Sequence, residues 1–176
     1  MDPLDTSHSK ANGGRWNPPA SFGALYLNRD LRVARLQVEH RLAGQPYAVE
    51  DLEETEQHDL VDVEVAERDW LDCLTDDGLE AIGLPATYPL HLDGSPVEHE
   101  ECQPRGLAAF DDDRPGVACR SAAHGATAGD EELAVFDRAV ADDRAVADDR
   151  AVADDRAGAA GVTMLGRRAF ADWFWT

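Results

Sequence analysis

The stretch Gly13-Gly14-Arg15-Trp16-Asn17-Pro18-Pro19 is the part of the chain best equipped to hold a phosphate. A glycine pair lets backbone approach a ligand closely. Arg15 supplies a rigid fork of donors that matches phosphate oxygens, and the two prolines fix the turn. Tyr26 follows Arg15 by eleven residues; its ring can stack on a base or nicotinamide and its hydroxyl can orient a ribose. Late in the chain, Ser121 closes the apolar run Val117-Ala118-Cys119, with Arg120 beside it as a second guanidinium. Each has an ordinary reading as well: an arginine paired with a nearby acid, a core tyrosine, a serine at a strand end. A serine nucleophile is excluded, since GxSxG is absent and His124 follows Ser121 by only three positions. Walker and Rossmann glycine loops are absent too.

These residues need elements to carry them. Ala24–Leu27 reads as a short buried strand that places Tyr26, and Asp30 as the N-cap of a helix running to Leu42. Leu31, Ala34, Val38 and Leu42 make one apolar stripe along that helix. Residues 1–12 are polar and loose, and Glu50–Asp59 is a solvated loop or helix face. Val61–Val65 alternates as a half-buried strand does. Asp76–Ile82 reads as a short helix closed by Gly83, Cys102–Phe110 as a helix packing on a sheet, and Val117–Cys119 and Leu133–Phe136 as late strands. Strands scattered among helices predict an α+β fold.

The chain of 176 residues carries 36 Asp and Glu against 16 Lys and Arg, a formal charge of −20. Such a surface stays soluble by self-repulsion and hydration, as halophile proteins do, and it lacks the basic stripe that nucleic acid requires. Cys73, Cys102 and Cys119 are odd in number and widely spaced, which fits neither a disulfide framework nor a zinc site and points to the reducing cytoplasm. Of six histidines, His91 and His99 lie nearest Glu100 and Cys102, but without HxxxH or HExxH spacing, so no metal is expected. No apolar run is long enough to span a membrane.

After Phe136 the unit Asp137-Arg138-Ala139-Val140-Ala141-Asp142 repeats from Asp143 and from Asp149 and decays at Gly158. A six-residue period rotates Val140, Val146 and Val152 around a helix, so no face stays apolar. A marginal helix or disorder is expected, with residues 139–176 a flexible tail beyond a domain at 10–138. Phe170, Trp173, Phe174 and Trp175 at its end dock on the domain, bind a partner, or belong to an unselected extension.

The order Gly14-Arg15, Tyr26, helix, Ser121 resembles the RES family, named for its Arg, Glu and Ser. Its members are NAD-degrading toxins of bacterial and archaeal toxin–antitoxin pairs. Cys102-Gln103-Pro104-Arg105-Gly106-Leu107 resembles the family's helix before the serine strand. The resemblance implies a compact α+β core similar to ADP-ribosyltransferases and release of nicotinamide from NAD, with ADP-ribose passing to phosphate or a protein. It implies an antitoxin partner, NAD as substrate and no metal, and leaves a homo-oligomer open. It places Gly14, Arg15, Trp16, Asn17, Tyr26, Arg120 and Ser121 around NAD. One position departs: where the family pattern Tyr-Leu-Ala…Ala-x-x-Glu-Val has glutamate, Tyr26-Leu27-Asn28…Ala34-Arg35-Leu36-Gln37-Val38 has Gln37. A carboxylate offsets the positive charge that builds on ribose as the glycosidic bond breaks; an amide cannot supply it. Glu39 lies about 200° around the helix from residue 37. Either Glu39 takes over through a helix distortion, or the chain is an impaired remnant that binds its antitoxin. The family carries another strand or two before the Gly-Gly-Arg turn, so the chain reads as a shortened haloarchaeal member.

Overall fold

A computed structural model describes residues 2–140 and 161–175. Four strands form a mixed sheet: β1 (Ala24–Asn28), β3 (Leu71–Cys73), β4 (Gly116–Arg120) and β5 (Glu131–Phe136), in the order β1-β5-β4-β3. β5 runs antiparallel to both β1 and β4, and β3 lies parallel to β4. A separate antiparallel ribbon joins β2 (Leu60–Val65) to β6 (Val162–Arg168). The helices are α1 (Ser7–Asn12), α2 (Leu31–Leu42), α3 (Asp76–Ala81), α4 (His99–Asp111), and the single turns α5 (Asp137–Val140) and α6 (Phe170–Trp173). The α+β expectation holds.

Strand alternation splits the main sheet into two faces. Ala24, Val117, Cys119, Ala134 and Phe136 point to one side and pack with Trp16, Phe22, Tyr88 and, from α4, Cys102 and Ala109. Leu25, Leu27, Leu133 and Val135 point to the other, where Val63, Val65 and Val162 of the ribbon cover them. α2 begins as expected, with the Asp30 carboxylate accepting from the Val33 N–H at 3.0 Å. Its stripe is covered by aromatics: Ala34, Leu31 and Val38 pack with Phe170, Trp173 and Phe174.

That contact corrects the expected tail. Residues 139 and 140 still belong to the core, where Ala139 is buried. After residue 161 the chain returns, adds β6 to β2, and seats Trp173 with its indole N–H on the His58 carbonyl at 3.1 Å. Strand pairing and a buried aromatic cluster hold this segment to the domain, where composition alone had suggested an appendage. The expectation for the repeat falls on residues 141–160, outside those described. The N-terminal stretch is not all loose either, since α1 is tied to β1 by Ser9, whose hydroxyl donates to the Ala24 carbonyl at 2.7 Å. Among the described residues no helix is long and apolar enough to cross a membrane.

Candidate active site

The Gly14–Asn17 turn lies over the Cys119 face of the sheet. Asn17 is fully buried and builds the turn: its amide donates to the carbonyls of Ser9 (2.8 Å) and Phe22 (3.0 Å), and its carboxamide oxygen accepts from the Tyr26 hydroxyl at 2.9 Å. That hydroxyl accepts in turn from the Trp16 N–H at 2.9 Å. A Cβ on Gly14 would come within 2.5 Å of the Tyr26 oxygen, so the glycine is what lets the ring lie against the turn. Burial pushes the Tyr26 pKa well above that of a free tyrosine, which keeps the hydroxyl a neutral donor.

Trp16 is fully buried, its indole N–H directed at Cys119 Sγ, 3.3 Å away. α4 presses on the turn from outside. Gln103 donates to the Gly14 carbonyl at 3.0 Å, and Gly106 passes so close to the Trp16 carbonyl that no side chain fits between them. This contact joins the Cys102–Leu107 stretch to the Gly-Gly-Arg turn. Arg15, half-exposed, donates to the Val97 carbonyl at 2.7 Å. Burial opposes its charge, but Tyr88 and Cys102 outweigh this and hold its pKa above the ordinary arginine value.

Of the residues expected around NAD, Gly14, Arg15 and Tyr26 thus meet at one turn, with Tyr26 38% exposed. Trp16 and Asn17 lie beneath it with their polar groups already engaged, and they shape the turn instead of facing a ligand. Arg120 departs from expectation altogether. It is buried, and its guanidinium donates to the Leu74 carbonyl (2.8 Å), the Ala86 carbonyl (2.7 Å) and Asp76 (2.7 Å). With its fork spent on the loops around α3, it staples the domain and offers no phosphate contact.

Ser121 stands just past β4, fully shielded, with its N–H on the Asp130 carbonyl at 2.7 Å. Its hydroxyl donates to Glu132 Oε1 at 2.5 Å, and Gln37 Nε2 donates to the same oxygen. α2 is aimed for this by Arg32, which pairs with Asp130. Gln37 and Ser121 are therefore brought together around a third residue that sequence reasoning missed. Glu132 is opposite Asn28 on β1 and Cys119 on β4, so it shares a face with Tyr26 and lies next to the sulfur that Trp16 touches. The diagonal step from Tyr26 to Glu132 spans about 7–8 Å between strand positions. Burial, followed by the Glu132 charge, pushes the Cys119 pKa far up, which leaves a neutral thiol with no nucleophilic role. Glu39 is exposed on an undistorted helix and does not reach this cluster.

A cleft of about 740 Å³ between β1, the start of α2 and the β2–β6 ribbon has Tyr26, Asn28 and Arg29 in its wall, but not Arg15, Gln37 or Ser121. The hydrogen-bonded residues, not this cleft, define the site. Among the described residues no three His, Cys, Asp or Glu are grouped as a metal site would require; His91 pairs with Glu101 at 3.0 Å.

The family model of the RES domain matches residues 1–155. The chain belongs to the RES domain family. The fold of this RES chain is similar to that of a chain in the crystal structure of the M. tuberculosis MbcT–MbcA toxin–antitoxin complex, at TM-score 0.71 and 21% identity. That match covers 100% of this chain and 84% of the other. No curated protein sequence matches.

Proposed function

We propose that this RES chain is the NAD-consuming toxin of a toxin–antitoxin pair. It cleaves the nicotinamide–ribose bond and passes ADP-ribose to inorganic phosphate or to a protein. Supporting this is the family membership together with one observation: the Arg15 turn is bonded to Tyr26, and Tyr26 shares a sheet face with Glu132, which binds Gln37 of α2 and Ser121. In this reading Arg15 holds the diphosphate, since its guanidinium is the cation of the turn that bonds to Tyr26. Tyr26 stacks on the bound ring, held in place by Trp16 and Asn17. Structural likeness to a toxin–antitoxin complex supports an antitoxin partner.

The rival reading, an impaired remnant that binds its antitoxin without turnover, rests on Gln37. A carboxylate standing beside Gln37 and Ser121 argues against it. The deciding experiment incubates the purified chain with NAD in phosphate buffer across several salt concentrations up to molar. Nicotinamide release above buffer supports the enzyme; none at any salt removes it and leaves the binding role.

A further inference from the structure

The position that lacks its glutamate has not lost its charge. Glu132 Oε1 accepts from both Gln37 Nε2 and Ser121 Oγ, so a carboxylate reaches the end of residue 37 from the neighbouring strand. We propose that Glu132, on β5, is the catalytic carboxylate of this chain, replacing from the sheet the glutamate that α2 does not carry. The assignment rests on the NAD-cleaving reading above.

Three observations carry it. First, an amide N–H and a hydroxyl both donate to one oxygen of Glu132, so the acid at 132 and the amide at 37 form a consistent network. Second, both donors meet Oε1, so the carboxylate is held in place by one of its two oxygens. Third, strand register puts Glu132 on the face of Tyr26 and opposite Cys119, whose sulfur the Trp16 indole meets, not on the ribbon side. Ser121 is buried to 1% exposure, so it acts as a positioning residue that orients Glu132, while the half-exposed Glu132 meets the substrate.

The step balances without any redox partner. The bond from ribose C1′ to the pyridinium nitrogen breaks, and its electron pair leaves with nicotinamide, which becomes neutral. Positive charge then spreads over C1′ and the ring oxygen, where the Glu132 carboxylate offsets it. An oxygen of inorganic hydrogen phosphate donates a pair to C1′, and the proton of the resulting phosphate ester passes to solvent.

The test compares four full-length chains in phosphate and NAD, with nicotinamide release followed by chromatography and NAD affinity by titration. Glu132→Gln, nearly isosteric and still able to bond Gln37, should lower kcat about a hundredfold or more, the usual worth of one well-placed electrostatic group, while NAD affinity changes less than threefold. The exchanged pair Gln37→Glu with Glu132→Gln returns a carboxylate to the same place from the helix and should recover at least tenfold over Glu132→Gln. A merely structural Glu132 would not be rescued by moving its charge to another element. Glu39→Gln should match the unaltered chain. If the unaltered chain releases nicotinamide and Glu132→Gln stays within threefold of it, the Glu132 assignment is wrong and the proposed function stands. Should Glu132→Gln fail to fold, a folded but inactive exchanged pair overturns the assignment and an active one upholds it. If the unaltered chain releases nothing, the proposed function falls, and the role of Glu132 with it.

Discussion

Replacing Gly106 with alanine tests whether α4 and the Arg15 turn are one rigid unit. A Cβ at residue 106 would sit 1.8 Å from the Trp16 carbonyl oxygen and 2.7 Å from its carbon. Ordinary carbon–oxygen contact is about 3.3 Å, so helix and turn must part by roughly 1.5 Å. Neither partner yields easily. The obstacle is backbone, Trp16 is fully buried, and α4 is anchored by Cys102 and Ala109 in the same core. Overpacking of this kind costs about 1–3 kcal/mol, and losing the Gln103 bond to Gly14 adds about 1 kcal/mol. Alanine returns at most about 1 kcal/mol through its better helix propensity. The net loss is about 1–3 kcal/mol, or about 2–12 °C in Tm for a chain of this length. Thermal unfolding by circular dichroism in one fixed high-salt buffer measures it. Gly166→Ala is the control, since a Cβ there meets nothing within 4 Å, and its Tm should move by no more than about 2 °C. A Gly106→Ala chain melting within 1 °C of the unaltered protein, or above it, would refute the close approach and the role given to α4.

Arg15→Ala should weaken NAD binding about tenfold or more, as loss of a charged hydrogen-bonding group does, and nicotinamide release at subsaturating NAD should fall at least as far; an unchanged affinity would remove Arg15 from the site. Trp173→Ala empties a 2%-exposed position between Phe170, Phe174 and α2; it should cost about 3–5 kcal/mol, read as a lower urea midpoint, and a shift under 1 kcal/mol would show that the C-terminal segment is not docked. Acid stability depends on Asp130, whose pKa is lowered from 3.8 to about 2 by the hydrogen bond from Arg32 and then by the Thr127 N–H and hydroxyl. A depressed carboxylate stabilises the fold above its unfolded pKa and loses that contribution as pH falls from about 4 through about 2. Arg32→Ala should therefore flatten the loss of urea resistance across this window, and an unaltered pH slope would contradict the pairing.

Where local chemistry decides, the elements were legible. Asp30 caps α2 because its carboxylate meets an orphan N–H one turn on, and Leu42 ends it close to Gly44, whose φ is +81°. What stayed hidden depends on partners remote in sequence. β3 is three residues long and exists only through its parallel pairing with β4. β6 lies beyond a polar repeat, and nothing local to Val162–Arg168 announces that β2 needs a partner. Trp16, Asn17 and Arg120 have the chemistry of ligand contacts, and only burial shows that their polar groups are already committed. Glu132 illustrates the limit most sharply. In a chain with 36 acids, Glu131-Glu132 at the start of a strand reads as two surface charges. The available signal was alternation: with Leu133 and Val135 on the ribbon side, Glu132 must share the side of Ala134 and Phe136, the core face.

The same excess of acid bears on how an anionic dinucleotide could reach this surface. At a formal charge of −20 the mean field repels phosphate, and the attraction available at the turn is local to Arg15. Screening treats the two differently. The Debye length is about 10 Å at 0.1 M salt and about 3 Å at 1 M, so concentrated salt suppresses repulsion from carboxylates across the surface while leaving a guanidinium in direct contact with a phosphate far less affected. Glu132 gains from the same condition. Two donors fix one of its oxygens, so its effect on a charge forming a few ångströms away survives where the surface field does not. A strongly acidic exterior and a site that binds anions and stabilises a cation are thus compatible on one small domain, because the exterior acts over distances that salt erases and the site acts by contact.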